Sequence, residues 1–216
     1  MAVKVIVFDF DGTLIDSNQL KYNAFFELFP SDSLHKEIIT DVLDEFIEKS
    51  RYVILREILK RISRKTINED DLDYRVHASA KKYNDIVVDG AKRCKEKSGA
   101  KEVLESLSKR YNLYLSSTTP ETSLKDTVKH RNWEGFFCDI FGYPNEKTSV
   151  LLEIIKRESV NPEELMVIGD GKSDRDSANN VKCGFLQINS ENCLRKLSDF
   201  LKNHGSFRRL KKSEQI

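Results

Sequence analysis

Two short acidic stretches carry most of the chemistry in this chain. In Asp9-Phe10-Asp11-Gly12-Thr13-Leu14, two acids stand two residues apart at the end of an apolar run. A strand period of two would put both side chains on one face, and Gly12 lets the chain turn sharply. Asp-Gly is also an ordinary turn, and Asp or Thr ordinarily caps a helix. The second stretch is Gly169-Asp170-Gly171-Lys172-Ser173-Asp174, again placed directly after an apolar run, Leu165–Ile168. Asp174 fits a cap of the following helix equally well. Carboxylates converging at one edge repel one another unless a cation is present, and oxygen donors without His or Cys favour a hard ion such as Mg²⁺. A third stretch, Ser116-Ser117-Thr118-Thr119-Pro120, offers hydroxyls and backbone N–H groups ahead of a helix, a combination suited to an anion. Lys147 adds a cation but says little alone, since Lys at a helix start is common. Nucleophilic carboxylate, second acid, hydroxyl, cation and metal cage are together what phosphoryl transfer requires, because that chemistry is mainly positioning and charge neutralisation.

These residues need a scaffold that brings distant segments to one edge. Val3–Phe8 is a short, β-branched apolar run of the kind buried on both faces of a parallel sheet. Similar runs recur at Leu113–Leu115, Ile140–Phe141, Leu165–Ile168 and Phe185–Ile188. Segments of helical period lie between the last four: Glu121–His130, Thr148–Glu158 and Asp174–Val181. This alternation predicts βαβ units with right-handed crossovers. From about Asp16 to Val88 the pattern is helical throughout. The stripes run through Leu20, Ala24, Phe25 and Leu28, then Ile38–Ile47, then Val53–Ile62, with a weaker fourth at Asp71–Tyr83. A small helical bundle inserted after the first strand is expected. Asp89-Gly90 and Ser98-Gly99 read as turns, with the basic stretch Lys92–Lys97 as a return linker. A helix follows through Val103, Leu104 and Leu107.

Composition narrows the function classes. Among 216 residues, 36 Lys and Arg stand against 35 Asp and Glu, a net charge of +1 that argues against binding nucleic acid through bulk charge. Hydrophobic residues make up 39% and charged residues 33%, which fits a folded chain with a strongly charged surface. No apolar run approaches the roughly 20 residues of a membrane span, and charges and Gly come too early in the chain for a secretory leader. Cys94, Cys138, Cys183 and Cys193 form no CxxC pair, and the four histidines are scattered, so a reduced, cytoplasmic setting without a zinc site is expected. The basic tail around Arg208–Lys212 reads as a solvated end.

The motifs together resemble the haloacid dehalogenase superfamily, in its phosphoglycolate phosphatase and β-phosphoglucomutase group with a helical cap. Asp9–Thr13 matches the motif DxDGT, and Asp170 with Asp174 matches GDxxxD. Ser117 matches the strand-terminal Ser or Thr, with Ser116 as an alternative register, and Lys147 matches the family lysine. The resemblance implies an α/β fold: a Rossmann-like three-layer core with a parallel five-stranded sheet of order 5-4-1-2-3, plus an inserted α-helical cap. The core would be residues 1–15 and 98–216; the cap and return linker would be 16–97. It implies that Asp9 is the nucleophile and becomes an aspartyl phosphate, while Asp11 protonates the leaving group and then activates water. Mg²⁺ would be held by Asp9, the backbone carbonyl of Asp11, Asp170 and Asp174, the last directly or through water. Ser117, the N–H of Thr118 and Lys147 would steady the phosphoryl oxygens.

The expected activity is Mg²⁺-dependent hydrolysis of a small soluble phosphomonoester, with no nucleic-acid or membrane partner and no oligomeric state specified. Asp11 separates this reading from dehalogenases, whose leaving halide needs no proton. The alternatives are a sugar phosphomutase of the same fold and a phospho-accepting signalling protein. Lys21 stands where mutases of the group carry a His, which weakens the first, and Asp11 counts against the second. Arg51, Arg56, Lys92 and Lys95 belong to mixed, wet helix faces. Ile15-Asp16-Ser17 and Asp89-Gly90 are candidate hinges, with Asp16 or Ser17 also suited to capping the first cap helix.

Overall fold

The computed structural model describes residues 2–47, 49–63, 68–188 and 194–197. Cys193 and the basic tail therefore lie outside the described residues. The chain divides into two compact units, one made of residues up to Ser17 and from Cys94 on, the other of Asn18–Arg93.

The first unit is built on five parallel strands: β1 (Val5–Phe8), β2 (Asn112–Pro120), β3 (Asp139–Tyr143), β4 (Leu165–Gly169) and β5 (Gly184–Gln187). Their spatial order is β3-β2-β1-β4-β5, the expected order read from the other edge. β1 is central because all four of its residues are apolar and buried, which suits a strand covered on both faces. It pairs in register with both neighbours, Val5–Phe8 against Asn112–Leu115 on one side and Leu165–Ile168 on the other. The connecting helices are α5 (Ala100–Leu107), α6 (Glu121–His130), α7 (Lys147–Glu158) and α8 (Lys172–Val181). Right-handed crossovers put α5 and α6 over one face and α7 and α8 over the other, because strand order runs away from β1 in opposite directions. Val5, Val7, Tyr114, Leu165 and Val167 pack with Val150, Leu151 and Ile154 of α7 and Ala178 and Val181 of α8. The alternate residues Ile6, Phe8, Leu113, Leu115, Met166 and Ile168 are equally buried and face the other way.

Asp16, Ser17 and residues 94–97 fold with the sheet because backbone bonds hold them there. Asp16 N–H donates to the Lys95 carbonyl at 2.8 Å, and Lys97 N–H to that of Leu14 at 2.9 Å. Ile15 bridges Glu96 in the same segment.

The second unit contains α1 (Asn18–Glu27), α2 (Ser33–Phe46), α3 (Arg51–Ile62) and α4 (Glu69–Arg93). Their apolar stripes meet in a separate core of Ala24 and Phe25, Ile39, Val42 and Leu43, Ile54, Leu55 and Ile58, and Ala80, Tyr83 and Val87. Asp32 and Ser50 cap α2 and α3 by accepting from His35 and Val53 N–H. The expected turn at Asp89-Gly90 is corrected here, since both residues lie inside α4. Gly90 is there for space: a Cβ would stand 2.5 Å from Leu20 Cδ1, so the missing side chain lets α1 approach α4. Lys92 and Arg93, read as linker, form the basic last turn of the same helix. Among the described residues no helix is long and apolar enough to cross a membrane.

One glycine of the sheet unit has a measurable consequence. A Cβ on Gly142 of β3 would meet backbone: Glu121 Cα at 2.4 Å and the Thr119 carbonyl at 2.6 Å. Neither can swing aside as a side chain would. Gly142→Ala should cost about 3 kcal/mol as an overpacked site, a fall of roughly 5–10 °C in thermal midpoint for a chain of this size. An unchanged melting curve would show that β3 is not held against the β2–α6 junction as described.

Candidate active site

Every acid under discussion lies just beyond the carboxyl end of a strand. The register that aligns Phe8 with Leu115 and Ile168 brings the chain after β1 level with the ends of β2 and β4. Asp9 N–H donates to the Ile168 carbonyl at 2.8 Å, continuing the ladder one residue further. Because the crossovers leave β1 and β4 in opposite directions, their shared edge is the switch point where open α/β sheets form a crevice. Asp9, Asp170 and Asp174 meet there. Each offers one carboxylate oxygen, and those oxygens all lie within 4.8 Å of one another.

Local sequence explains the placing of each. Gly12 has φ 77°, a left-handed conformation that reverses the chain after Asp11. Gly12 N–H then bonds the Ile15 carbonyl at 2.9 Å, and Leu14 N–H bonds that of Phe10 at 2.9 Å. Thr13, Leu14 and Ile15 are fully buried beneath this turn. Gly169 makes room for Asp174, whose carboxylate carbon would stand 2.4 Å from a Cβ at that position. Asp174 occupies the first turn of α8 and accepts from Gly171 N–H at 3.3 Å, so the capping geometry and the site geometry coexist.

Lys147, the first residue of α7, ties the acids together. Its Nζ lies 2.7 Å from Asp9 Oδ1 and 2.5 Å from Asp174 Oδ1, with all three side chains at most one-tenth exposed. Burial pushes the Asp9 carboxyl above its ordinary range; Lys147 opposes that shift, while Asp11 and Asp170 add to it. Asp174 is pushed up to about 6 by burial and by Asp9, against the pull of Lys147. Burial alone would lower the Lys147 ammonium, but the two carboxylates outweigh it and hold the proton more tightly than usual. One ammonium is thus too little positive charge for this cluster of acids. An all-oxygen, charge-deficient cluster is a donor set that fits a hard divalent cation.

Asp11 sits in a different setting, among hydroxyls. Ser17 Oγ donates to its Oδ1 at 2.6 Å, and Thr119 Oγ1 donates to its Oδ2 at 2.8 Å. Ser117 Oγ stands 3.3 Å from the same Oδ2. Ser117 is therefore the hydroxyl that faces Asp11, whereas Ser116 lines a small cavity with Asp9, Lys147 and Asp174. Ser117 Oγ also accepts from Thr119 N–H at 3.1 Å, where the pairing of β2 with β3 becomes irregular. The Thr118 side chain is exposed between them. Thr13 Oγ1 lies 3.5 Å from Asp9 Oδ2.

The structure thus brings Asp9, Asp170, Asp174 and Lys147 into one cluster and Asp11, Ser117, Thr119 and Ser17 into an adjoining one. Ser17 and Thr119 were not singled out as site residues by sequence. Thr119 was accessible to reasoning, since it stands two residues beyond Ser117 and shares its strand face. Ser17 had no such signal, because its contact depends on the turn at Gly12.

The match to known families is decisive on fold and class. A family model described as haloacid dehalogenase-like hydrolase matches residues 6–188. The chain belongs to this family. As a haloacid dehalogenase-like hydrolase it is similar to a phosphorylated carbohydrates phosphatase from Thermotoga maritima, 26% identical over 82% of this chain and 80% of that one. A haloacid dehalogenase-like hydrolase from Streptococcus pneumoniae shares the fold with a TM-score of 0.65 at 24% identity, over 87% of this chain and 85% of the other. The HAD-hydrolase YfnB from Bacillus subtilis, solved bound to magnesium, has a TM-score of 0.69 at 16% identity, covering 94% and 100% of the two chains. This hydrolase carries both acidic motifs of the family complete, and both end on the same sheet edge.

Proposed function

We propose that this hydrolase is a Mg²⁺-dependent phosphatase acting on a small phosphorylated carbohydrate through an aspartyl-phosphate intermediate, in the reducing cytoplasm. The observation that carries the reading is the cluster of buried Asp9 and Asp174, both paired with Lys147, and half-buried Asp170 at the switch point of the sheet. The substrate class follows the Thermotoga relative. The free thiols of Cys94, Cys138 and Cys183 agree with a reducing setting.

Asp9 attacks phosphorus in line, and its bond to phosphorus forms as the ester P–O bond breaks. Asp11 gives its proton to the leaving oxygen, so the alcohol departs neutral. Asp11, now a carboxylate, takes a proton from water, whose oxygen attacks the aspartyl phosphate and releases inorganic phosphate. Asp9 is restored as a carboxylate. Ser117, Lys147 and the backbone N–H of Thr118 hold the phosphoryl oxygens, Thr118 contributing through its main chain because its side chain faces outward. Asp9, the backbone carbonyl of Asp11, Asp170 and Asp174 would hold Mg²⁺, which neutralises charge on the phosphoryl group and keeps Asp9 ionised. The helical unit is the cap in this reading, and the sheet unit is the catalytic core.

Phosphate release from p-nitrophenyl phosphate tests the proposal. Turnover is expected with Mg²⁺ and should fall at least about a hundredfold in excess chelator, since the metal supplies several kcal/mol of charge stabilisation. Equal rates with and without chelator would remove the metal from the mechanism.

A further inference from the structure

The edge strand β5 ends on a side chain that reaches back to the acidic loop after β4. Phe185 and Gln187 stand two residues apart on β5, so their side chains share one face. Phe185 packs against the core that Ala178 and Val181 of α8 help to form, so this is the face that α8 covers. Arg175, near the start of α8, lies along it. Its guanidinium carbon is 5.7 Å from the centre of the Phe185 ring, and its Nη2 donates to Gln187 Oε1. A guanidinium only donates, so it takes the carbonyl end of the Gln187 amide. The amino end is thereby turned the other way, and Gln187 Nε2 donates to the Asp170 carbonyl at 3.2 Å. Both ends of the amide meet a group of the matching kind, which fixes its orientation. Ile188 N–H, next along the chain, donates to the Gly169 carbonyl at 2.9 Å. The end of β5 thus holds two successive carbonyls, those of Gly169 and Asp170.

We infer that Gln187, aimed by Arg175, is a positioning residue that holds the main chain at Asp170 so that its carboxylate converges with those of Asp9 and Asp174 on one divalent cation. The inference rests on the metal-dependent phosphatase reading and deepens it. Asp9 and Asp174 are buried and each pairs with Lys147, whereas Asp170 is only half-buried. Its direction therefore depends more on how its own backbone is held. Gln187 and Arg175 act through that backbone and not as ligands.

The consequence depends on the ion. Mg²⁺ requires a nearly ideal octahedron of oxygens, whereas Ca²⁺ accepts longer and more variable geometry. A displaced Asp170 carboxylate should therefore harm Mg²⁺ binding more than Ca²⁺ binding. Gln187→Met keeps the length of the side chain and removes both hydrogen bonds. In calorimetric titrations of the full chain with MgCl₂ or CaCl₂, it should weaken Mg²⁺ on the order of tenfold, the usual scale for a residue behind a ligand. Ca²⁺ should weaken by no more than about threefold. Arg175→Met should move the Mg²⁺/Ca²⁺ affinity ratio in the same direction by a smaller factor. The loss of its positive charge acts on both divalent ions alike and cancels in that ratio. In the Gln187→Met background Arg175→Met should leave the ratio unchanged, since Arg175 acts through Gln187. Metal-free melting curves establish that each variant is folded, and Arg175 is exposed, so its variant reads the ratio even if Gln187→Met does not fold.

Equal weakening of the two ions, or a lowered metal-free midpoint with an unchanged ratio, would show that Gln187 only supports the fold and would overturn the inference. So would an unchanged Mg²⁺ affinity, or an Arg175→Met effect on the ratio that persists without Gln187. Failure of the unsubstituted protein to bind Mg²⁺ at all would be a different result: it would remove the metal from the phosphatase reading, and this inference with it.

Discussion

Replacing Asp9 by Asn should abolish phosphate release while making the metal-free protein more stable. The loss of turnover is expected to reach at least about a thousandfold, the scale seen when a covalent nucleophile is removed. The gain in stability follows from the direction of the Asp9 proton affinity. Burial raises it, Asp11 and Asp170 raise it further, and Lys147 at 2.7 Å does not fully offset them. An acid whose proton affinity rises on folding is one whose charge the folded state resists. Asn keeps the size of Asp, and its carbonyl oxygen still accepts from Lys147, which also keeps Asp174. Removing one charge from the cluster should raise the thermal midpoint in chelator by roughly 2–4 °C. Melting curves and phosphate assays on the same preparations check both halves. Residual activity above about a hundredth of the original would reject Asp9 as nucleophile. A lowered midpoint would mean that the Lys147 pair contributes more to folding than the crowding of acids takes away.

The opposing signs in that prediction bear on what was legible in the sequence. The five strands were readable because each contains a short apolar run, buried throughout in the central β1 and in β4 and only in part at the sheet edges, and Glu121–His130 was readable because Pro120 precedes it. The spatial order of the strands came from family resemblance and not from the runs themselves, since nothing in Leu165–Ile168 says that it lies beside Val5–Phe8. Asp9, Asp11, Asp170 and Asp174 were legible by type and spacing. Their separation into a charged cluster and a hydroxyl-lined one was not, because it depends on which way each carboxylate turns after Gly12 and past Gly169. Ser17 was read as a helix cap or hinge, the ordinary role of a Ser before a helix, yet its hydroxyl proton goes to Asp11. Gly90 was misread for the same reason. A glycine after Asp signals a turn locally, and only packing against Leu20 shows that it is needed for close helix approach.

Mg²⁺ should stabilise the protein strongly at about pH 8 and much less at about pH 5.5, where protons compete for the same oxygens. The sign follows from Asp174, pushed up to about 6, and from Asp9, shifted the same way. Between the ordinary carboxylate range and about 6, the folded chain binds protons that the unfolded chain has released. Metal-free stability therefore rises as pH falls from about 7 towards 5. Acids held below their ordinary range by hydrogen bonds and ion pairs, among them Asp32, Glu121, Asp139 and Glu164, reverse this trend only at lower pH. With the cation bound, the need for protons disappears. At a hundred times its dissociation constant Mg²⁺ contributes about 2.7 kcal/mol, a midpoint shift of roughly 5–10 °C near pH 8. At the lower pH the shift should be half that or less. Asp170→Asn removes one of the three converging carboxylates without touching Lys147, so it should erase most of the Mg²⁺ shift, keep the part of the metal-free pH trend that comes from Asp174, and weaken only the part that Asp170 adds through Asp9. Melting curves at the two pH values, with Mg²⁺ or chelator, read all of these terms. A Mg²⁺ shift that is equal at both pH values and survives Asp170→Asn would place the ion elsewhere on the molecule.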